Sequence, residues 1–372
     1  MKIVVFGLTV SSSWGNGHAT IWRGLCRCLG AAGHEVTFFE RDAPYYAQHR
    51  DATEFAGLRL ALYPSWSAVA ADALREVSGA DAAIVTSYCP DGPAASDLVR
   101  DSCPGMRVFY DLDTPVTLER LEAGEPVPYV PPGGLGDFDL VLSFGGGRAL
   151  DALRVRLGAR AVAPLYGCVD PSVHFPVPPD ERFRSDLSYL GTYATDRRAM
   201  LEELFVEAAR RSPGARFLLG GALYPADFPW QPNIWLMPHV PPAEHPAFFS
   251  SSGLSLNVTR GSMVRWGFCP SGRLFEAAAC GVAQITDSWE GLDAFFEPGE
   301  ELLVARSASD VVAAMALPGP ERERIGRAAR RRVLAAHTAA RRARELAILL
   351  GGGRGESAAS PPAPRPRSEG AA

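Results

Sequence analysis

A carboxylate inside an apolar helical segment is the most informative residue of the sequence. In PSGRLFEAAACG (270–281), Glu276 is surrounded by Leu274, Phe275 and Ala277–Ala279, where a charge is costly unless something hydrogen-bonds to it. Paired hydroxyls of a ribose would do so. Pro270 and Ser271 supply turn and helix-start chemistry ahead of it, and Gly281 ends the segment. Upstream, Arg260 and Arg265 follow the apolar run GLSLNV (253–258). Downstream, SWEGL (288–292) opens another helix whose free amides suit a phosphate.

Two further groups could carry chemistry. The loop SSSWGNGHAT (11–20) places Gly15, Asn16 and Gly17 where backbone can approach a ligand, with His18 able to accept a proton or bind an acceptor. A tight turn with a helix-start histidine is the structural alternative. GNGHAT is also a partial match to the dinucleotide fingerprint, with Glu40 ending the next strand where a ribose-binding acid would sit. Its third small-residue position is Thr20, so nicotinamide or flavin binding stays a minor alternative. In YDLDTP (110–115), Asp111 and Asp113 form a D-x-D pair. Two carboxylates make a poor metal site by themselves. Asp113 is the better candidate for a general base or hydroxyl ligand, with a structural turn equally open.

Composition narrows the classes. With Lys+Arg 37 against Asp+Glu 42, the formal charge of −5 offers no basic field for nucleic acid. No apolar run approaches the roughly 18 residues of a membrane span. The seven cysteines lack a CxxC pair and suit a reducing cytoplasm. Lys2 is the only lysine, which excludes a GxxxxGK[ST] loop and a Schiff-base lysine. Trp14, Trp266 and Trp289 fall in candidate cleft loops and either stack on sugar or base or pack internally. His239 and His245 flank a proline-rich loop, either a donor-base contact or plain surface.

Positioning these residues calls for an α/β scaffold. KIVVFG (2–7), EVTFFE (35–40), AAIVTSY (82–88), MRVFYDLD (106–113) and FDLVLSFG (138–145) are near-continuous apolar runs ending in polar or glycine-rich loops. Such runs fit buried parallel strands alternating with helices. After the proline-rich stretch 163–182 the theme restarts with DLSYLGTY (186–193) and continues through ELLVA (301–305). Two Rossmann-like domains facing across a cleft follow, with a first domain over 1–168, a hinge over 169–185 and a second domain over 186–350. The arginine-rich segment 320–350 is expected to be a solvated amphipathic helix of the second domain. The low-complexity tail 351–372 is expected to be disordered.

The stretch 256–305 resembles the donor-binding half of GT-B glycosyltransferases, in particular the CgeB-like, spore-maturation branch. Its motifs S-x-R-x-F-E-A-A-A-C-G, D-x-x-E-x-L and F-x-P-G-x-E match Ser271–Gly281, Asp287–Leu292 and Phe296–Glu301. The likeness extends to YDLDTP, CVDPSVHFP (168–176) and LGTY (190–193). It implies sugar transfer from a nucleotide-diphosphate donor in the second domain to an acceptor hydroxyl in the first, with no cofactor and no metal. It implies that Glu276 binds the donor ribose, that Ser271, Arg273, Glu290 and Gly291 fall in the donor pocket, and that Arg260 neutralises the diphosphate. Where many retaining relatives carry a second glutamate, this chain has Phe268. His18 or Asp113 would serve as base in an inverting enzyme, whereas in a retaining one neither acts as a base and His18 only positions substrate. A non-catalytic sugar-binding module of the same fold is the other alternative.

Overall fold

The computed structural model describes residues 1–15 and 17–351; Asn16 and the tail beyond 351 lie outside the described residues. The apolar runs form a first sheet of β1 (Lys2–Gly7), β2 (Glu35–Arg41), β3 (Arg59–Tyr63), β4 (Ala82–Thr86), β5 (Met106–Asp111), β6 (Leu140–Ser143) and β7 (Val162–Pro164). All pair in parallel, in the order β3-β2-β1-β4-β5-β6-β7. Ile3 opposes Val36 on one side and Ala82 on the other, so β1 is central and Ile3–Phe6 have no exposed surface. The edge strand β7 runs into the proline-rich stretch 163–182 expected as linker. It is short and ends at Pro164, whose missing N–H is tolerated at an edge.

The second sheet contains β8 (Ser185–Leu190), β9 (Phe217–Gly220), β10 (Ile234–Met237), β11 (Ser252–Asn257), β12 (Gln284–Thr286) and β13 (Leu303–Val304), again all parallel, ordered β10-β9-β8-β11-β12-β13. Each sheet reverses its strand order once, beside β1 and beside β8. Ligands of such sheets bind outside the carboxyl ends at those points.

The terminal helices divide between the domains. In Gly319–Ala336, Ala329 and Val333 pack with Leu274 and Phe275 of the second domain. The last helix, Ala339–Leu350, belongs elsewhere than expected: Ala339, Ala343, Leu346 and Leu350 share a core with Ile3, Trp22 and Leu25 of the first domain. The physical reason is its apolar stripe, which finds a matching face on the helix His18–Ala31. The chain recrosses beside its first crossing, where the Val169 amide donates to the His337 carbonyl at 3.0 Å and the Ala339 amide to the Val169 carbonyl at 2.8 Å. Nor are the arginines simply solvated. Arg342 is 4% exposed and donates to the Tyr166 carbonyl and to Glu345, while Arg332 pairs with Glu301.

Other contacts hold the domains together. Arg265 pairs with Glu119 and Glu122 of the first domain at 3.0 and 2.9 Å, and so bridges domains instead of binding a ligand. At the first crossing, Arg27 donates twice to Asp170 at 2.7 Å, and Ser172 adds its amide and hydroxyl. Burial opposes ionisation of Asp170, but these donors outweigh it and hold the carboxyl below its ordinary value. The resulting stabilisation is present above the ordinary pKa and is lost as pH falls through the lowered one. Asp170→Asn is therefore expected to cost about 2 kcal/mol at neutral pH. Melting temperatures across pH check this, and the gap to wild type should close below about pH 4.

Candidate active site

The carboxyl ends of both sheets face a single cleft of about 520 Å³. Its first-domain wall comes from the loops after β1, β4 and β5. Gly15 has φ +67° and Gly17 caps the helix His18–Ala31; both line the cleft with His18 and Asp113. Nε2 of His18 lies 3.2 Å from Oδ2 of Asp113, while its Nδ1 is buried without a partner among the described residues. The dyad therefore presents Asp113, whose side chain is 35% exposed, to the cleft, with His18 behind it at 10%. Asp111 lies one step deeper: it accepts from the Asp113 amide at 3.0 Å, and burial pushes its carboxyl up to about 6.

The second-domain wall is cationic. Ser271 caps the helix Gly272–Ala279, which carries Arg273 and Glu276 into the cleft. Arg273 contacts no carboxylate within ion-pair distance in the described residues: it donates to Oδ1 of Asn257 at 3.3 Å and lies over the Tyr189 ring at 5.5 Å. Burial pulls it below the usual guanidinium range; neighbouring Arg197 adds to this, against Tyr189 and Glu276. Arg197 also lines the cleft. It reaches Tyr189 Oη at 3.2 Å and leaves its buried Nε unpartnered among the described residues. Arg260, expected to neutralise phosphate, lines the cleft too but is paired with Asp196 at 3.1 Å. Room for Arg273 depends on Gly191, where a Cβ would sit 2.8 Å from its Nη2.

Not every expected residue reaches the cleft. Glu290 and Gly291 are absent from its lining. The Glu290 side chain is 61% exposed and stands 4.0 Å from Arg148. Gly291, at φ +86°, makes room for the Phe268 ring, and Phe268 itself is packed against Gly146 and Gly147 of the first domain instead of the cleft. Glu40 is no ribose ligand. It is fully buried and accepts four hydrogen bonds, from the Thr9 and Ser11 hydroxyls and the Val10 and Ser11 amides, at 2.5–3.0 Å. It shapes the loop after β1, which removes the acid that nicotinamide binding required. Trp266 and Trp289 are packing residues. Trp14 lines the cleft and stacks on His49 at 4.1 Å, with His239 at 4.5 Å.

Sequence reasoning missed Arg197, which sits in an arginine pair and reads as a helix-surface residue. Its signal is position: it follows the glycine loop after β8 much as Arg260 follows β11. His245 reaches the cleft, beside Glu276 and the linker residue His174.

Residues 197–347 match the glycosyl transferase-like family. No curated protein matches the sequence. Among solved structures, sucrose-phosphate synthase from Thermosynechococcus elongatus superposes with a TM-score of 0.68 at 14% identity, covering 94% of this chain and 98% of that one. HepE of Anabaena, solved with UDP and glucose, gives 0.68 at 11% identity, covering 95% and 100%. A glycosyltransferase from Rickettsia africae gives 0.64 at 12%, covering 96% and 99%. The chain thus has the two-domain GT-B fold and carries a glycosyl transferase-like domain over residues 197–347.

Proposed function

We propose that the protein transfers a sugar from a uridine diphosphate sugar to an acceptor hydroxyl, without a metal, as a CgeB-like member of the GT-B glycosyltransferases. The observation that carries this reading is the pair Arg197 and Arg273: two cleft-lining guanidiniums, neither with a carboxylate partner among the described residues, next to Glu276 and opposite the His18–Asp113 dyad. Half-buried cations of this kind call for an anion, and planar guanidiniums match phosphate oxygens. Solved relatives of the same fold hold UDP or UDP-glucose, which favours uridine as the base.

In this reading the diphosphate lies against Arg197, Arg273 and the amides at Ser271–Arg273, and Glu276 accepts from the ribose hydroxyls. The acceptor oxygen forms a bond to the anomeric carbon while the bond from that carbon to the phosphate oxygen breaks. UDP leaves with the electron pair, its growing charge met by the two guanidiniums. The acceptor proton passes to Asp113, which His18 holds in place. The arginines supply the positive charge that a divalent cation would otherwise bring, so a chelator should leave transfer intact. All seven cysteines are free thiols, and no described helix is long and apolar enough to cross a membrane; we place the protein in the cytoplasm.

Two measurements test this. UDP should raise the melting temperature of the wild type, and Glu276→Ala should weaken UDP binding roughly 10- to 100-fold, the scale of one hydrogen bond to a charged group. Unchanged affinity would remove Glu276 from the donor site, and a shift with NAD but not UDP would overturn the whole reading. Asp113→Asn should slow UDP release from UDP-glucose about 100-fold or more while retaining UDP affinity. Absence of any such release in the wild type would argue for a sugar-binding scaffold.

A further inference from the structure

Three donor groups from three separate elements meet at one side of the cleft. His174 comes from the segment between the domains, His245 opens the helix His245–Ser250, and Glu276 lies in Gly272–Ala279. Nε2 of His174 is 3.4 Å from Nδ1 of His245, which is 3.8 Å from Oε2 of Glu276, and all three atoms lie within 4.8 Å of one another. His174 is 1% exposed, and the side chains of His245 and Glu276 are 14% exposed.

The hydrogen bonding leaves this cluster short of positive charge. Nε2 of His245 is 3.1 Å from the Val240 carbonyl. A carbonyl only accepts, so that nitrogen carries the proton and Nδ1 turns its lone pair toward the cluster. A lone pair and a carboxylate thus face each other, and His174 has one Nε2 proton to offer between them. The Nδ1 of His174 finds no partner among the described residues.

A divalent cation would satisfy all three donors. With zinc–nitrogen bonds of about 2.0–2.1 Å, two nitrogens of a tetrahedral site stand about 3.4 Å apart, which is the separation between Nε2 of His174 and Nδ1 of His245. A ligating histidine usually donates its other N–H to a carbonyl or carboxylate, as His245 does to Val240. Two imidazoles and one carboxylate suit zinc or cobalt; magnesium and calcium prefer oxygen.

We propose that His174, His245 and Glu276 form a binding site for a zinc-type divalent cation, and that this cation and the donor ribose exclude one another because both require Glu276. Metal binding stands independently of the donor assignment, whereas the exclusion rests on it. His174 does not line the cleft, so its replacement separates the two.

The test uses the full chain, freed of metal by chelation and titrated with cobalt chloride. The proposal expects one equivalent bound with the intense visible bands of a four-coordinate centre, and loss of those bands in His174→Ala. A wild type without such bands, or bands unchanged in His174→Ala, would overturn the site. UDP affinity is then measured with and without saturating zinc chloride. Zinc should weaken UDP binding about tenfold or more in the wild type and leave it unaltered in His174→Ala, whose retained UDP binding also shows that it folds. If cobalt binds as expected but zinc leaves UDP affinity unchanged, the exclusion falls. If UDP never binds the wild type, the donor reading falls while the cobalt spectrum still decides the metal site.

Discussion

A parallel strand can be followed by another in the same sheet only through a crossover, so every strand of such a sheet delivers its carboxyl end to one edge. This constraint, applied twice, decides where chemistry can sit in the protein. The loops leaving β1, β4 and β5 and those leaving β8, β9, β10 and β11 all open toward the same space. Residues far apart in sequence become neighbours there: His18 meets Asp113 at a separation of 95 residues. At the amino ends of the strands stand surface ion pairs such as Lys2 with Glu76.

Within the cleft, charge is distributed unevenly, and the unevenness is costly. Many other arginines are matched: Arg107 with Asp139, Arg23 with Asp51, Arg27 with Asp170. Arg273 instead rests on an aromatic face and an amide oxygen, and Arg197 on a phenol. Unpaired charge of this kind costs stability, a cost that functional sites commonly carry. The opposite choice is made at Glu40, whose oxygens are so fully engaged that the carboxylate becomes a structural pin for the loop carrying Gly15 and His18.

The sequence made the two-sheet architecture legible because buried parallel strands are apolar on both faces and stop at glycine or polar loops. It also exposed Glu276, as a charge with no local reason to be where it is, and His18 and Asp113, as residues of the loops that follow strands. What stayed hidden depended on tertiary placement. The helix Ala339–Leu350 has the same amphipathic pattern whichever domain it packs on. Glu290 fits a motif, but the loop holding it turns toward Arg148 of the first domain. His174 stands 71 residues from His245 and 102 from Glu276, a spacing that carries no periodic signal. The edge strand β7, three residues ending at a proline, lacks the apolar run that marks the central ones.

The paired crossings have a mechanical consequence. Because Val169 is hydrogen-bonded to both His337 and Ala339, the two chain segments joining the domains run side by side as a two-ply ribbon. Any swing of one domain against the other must therefore carry both segments together or break these two hydrogen bonds. The final helix acts as the anchor of the second ply. With Leu346 and Leu350 seated in the first domain's core, cleft motion and the integrity of the carboxyl-terminal segment become a single mechanical property.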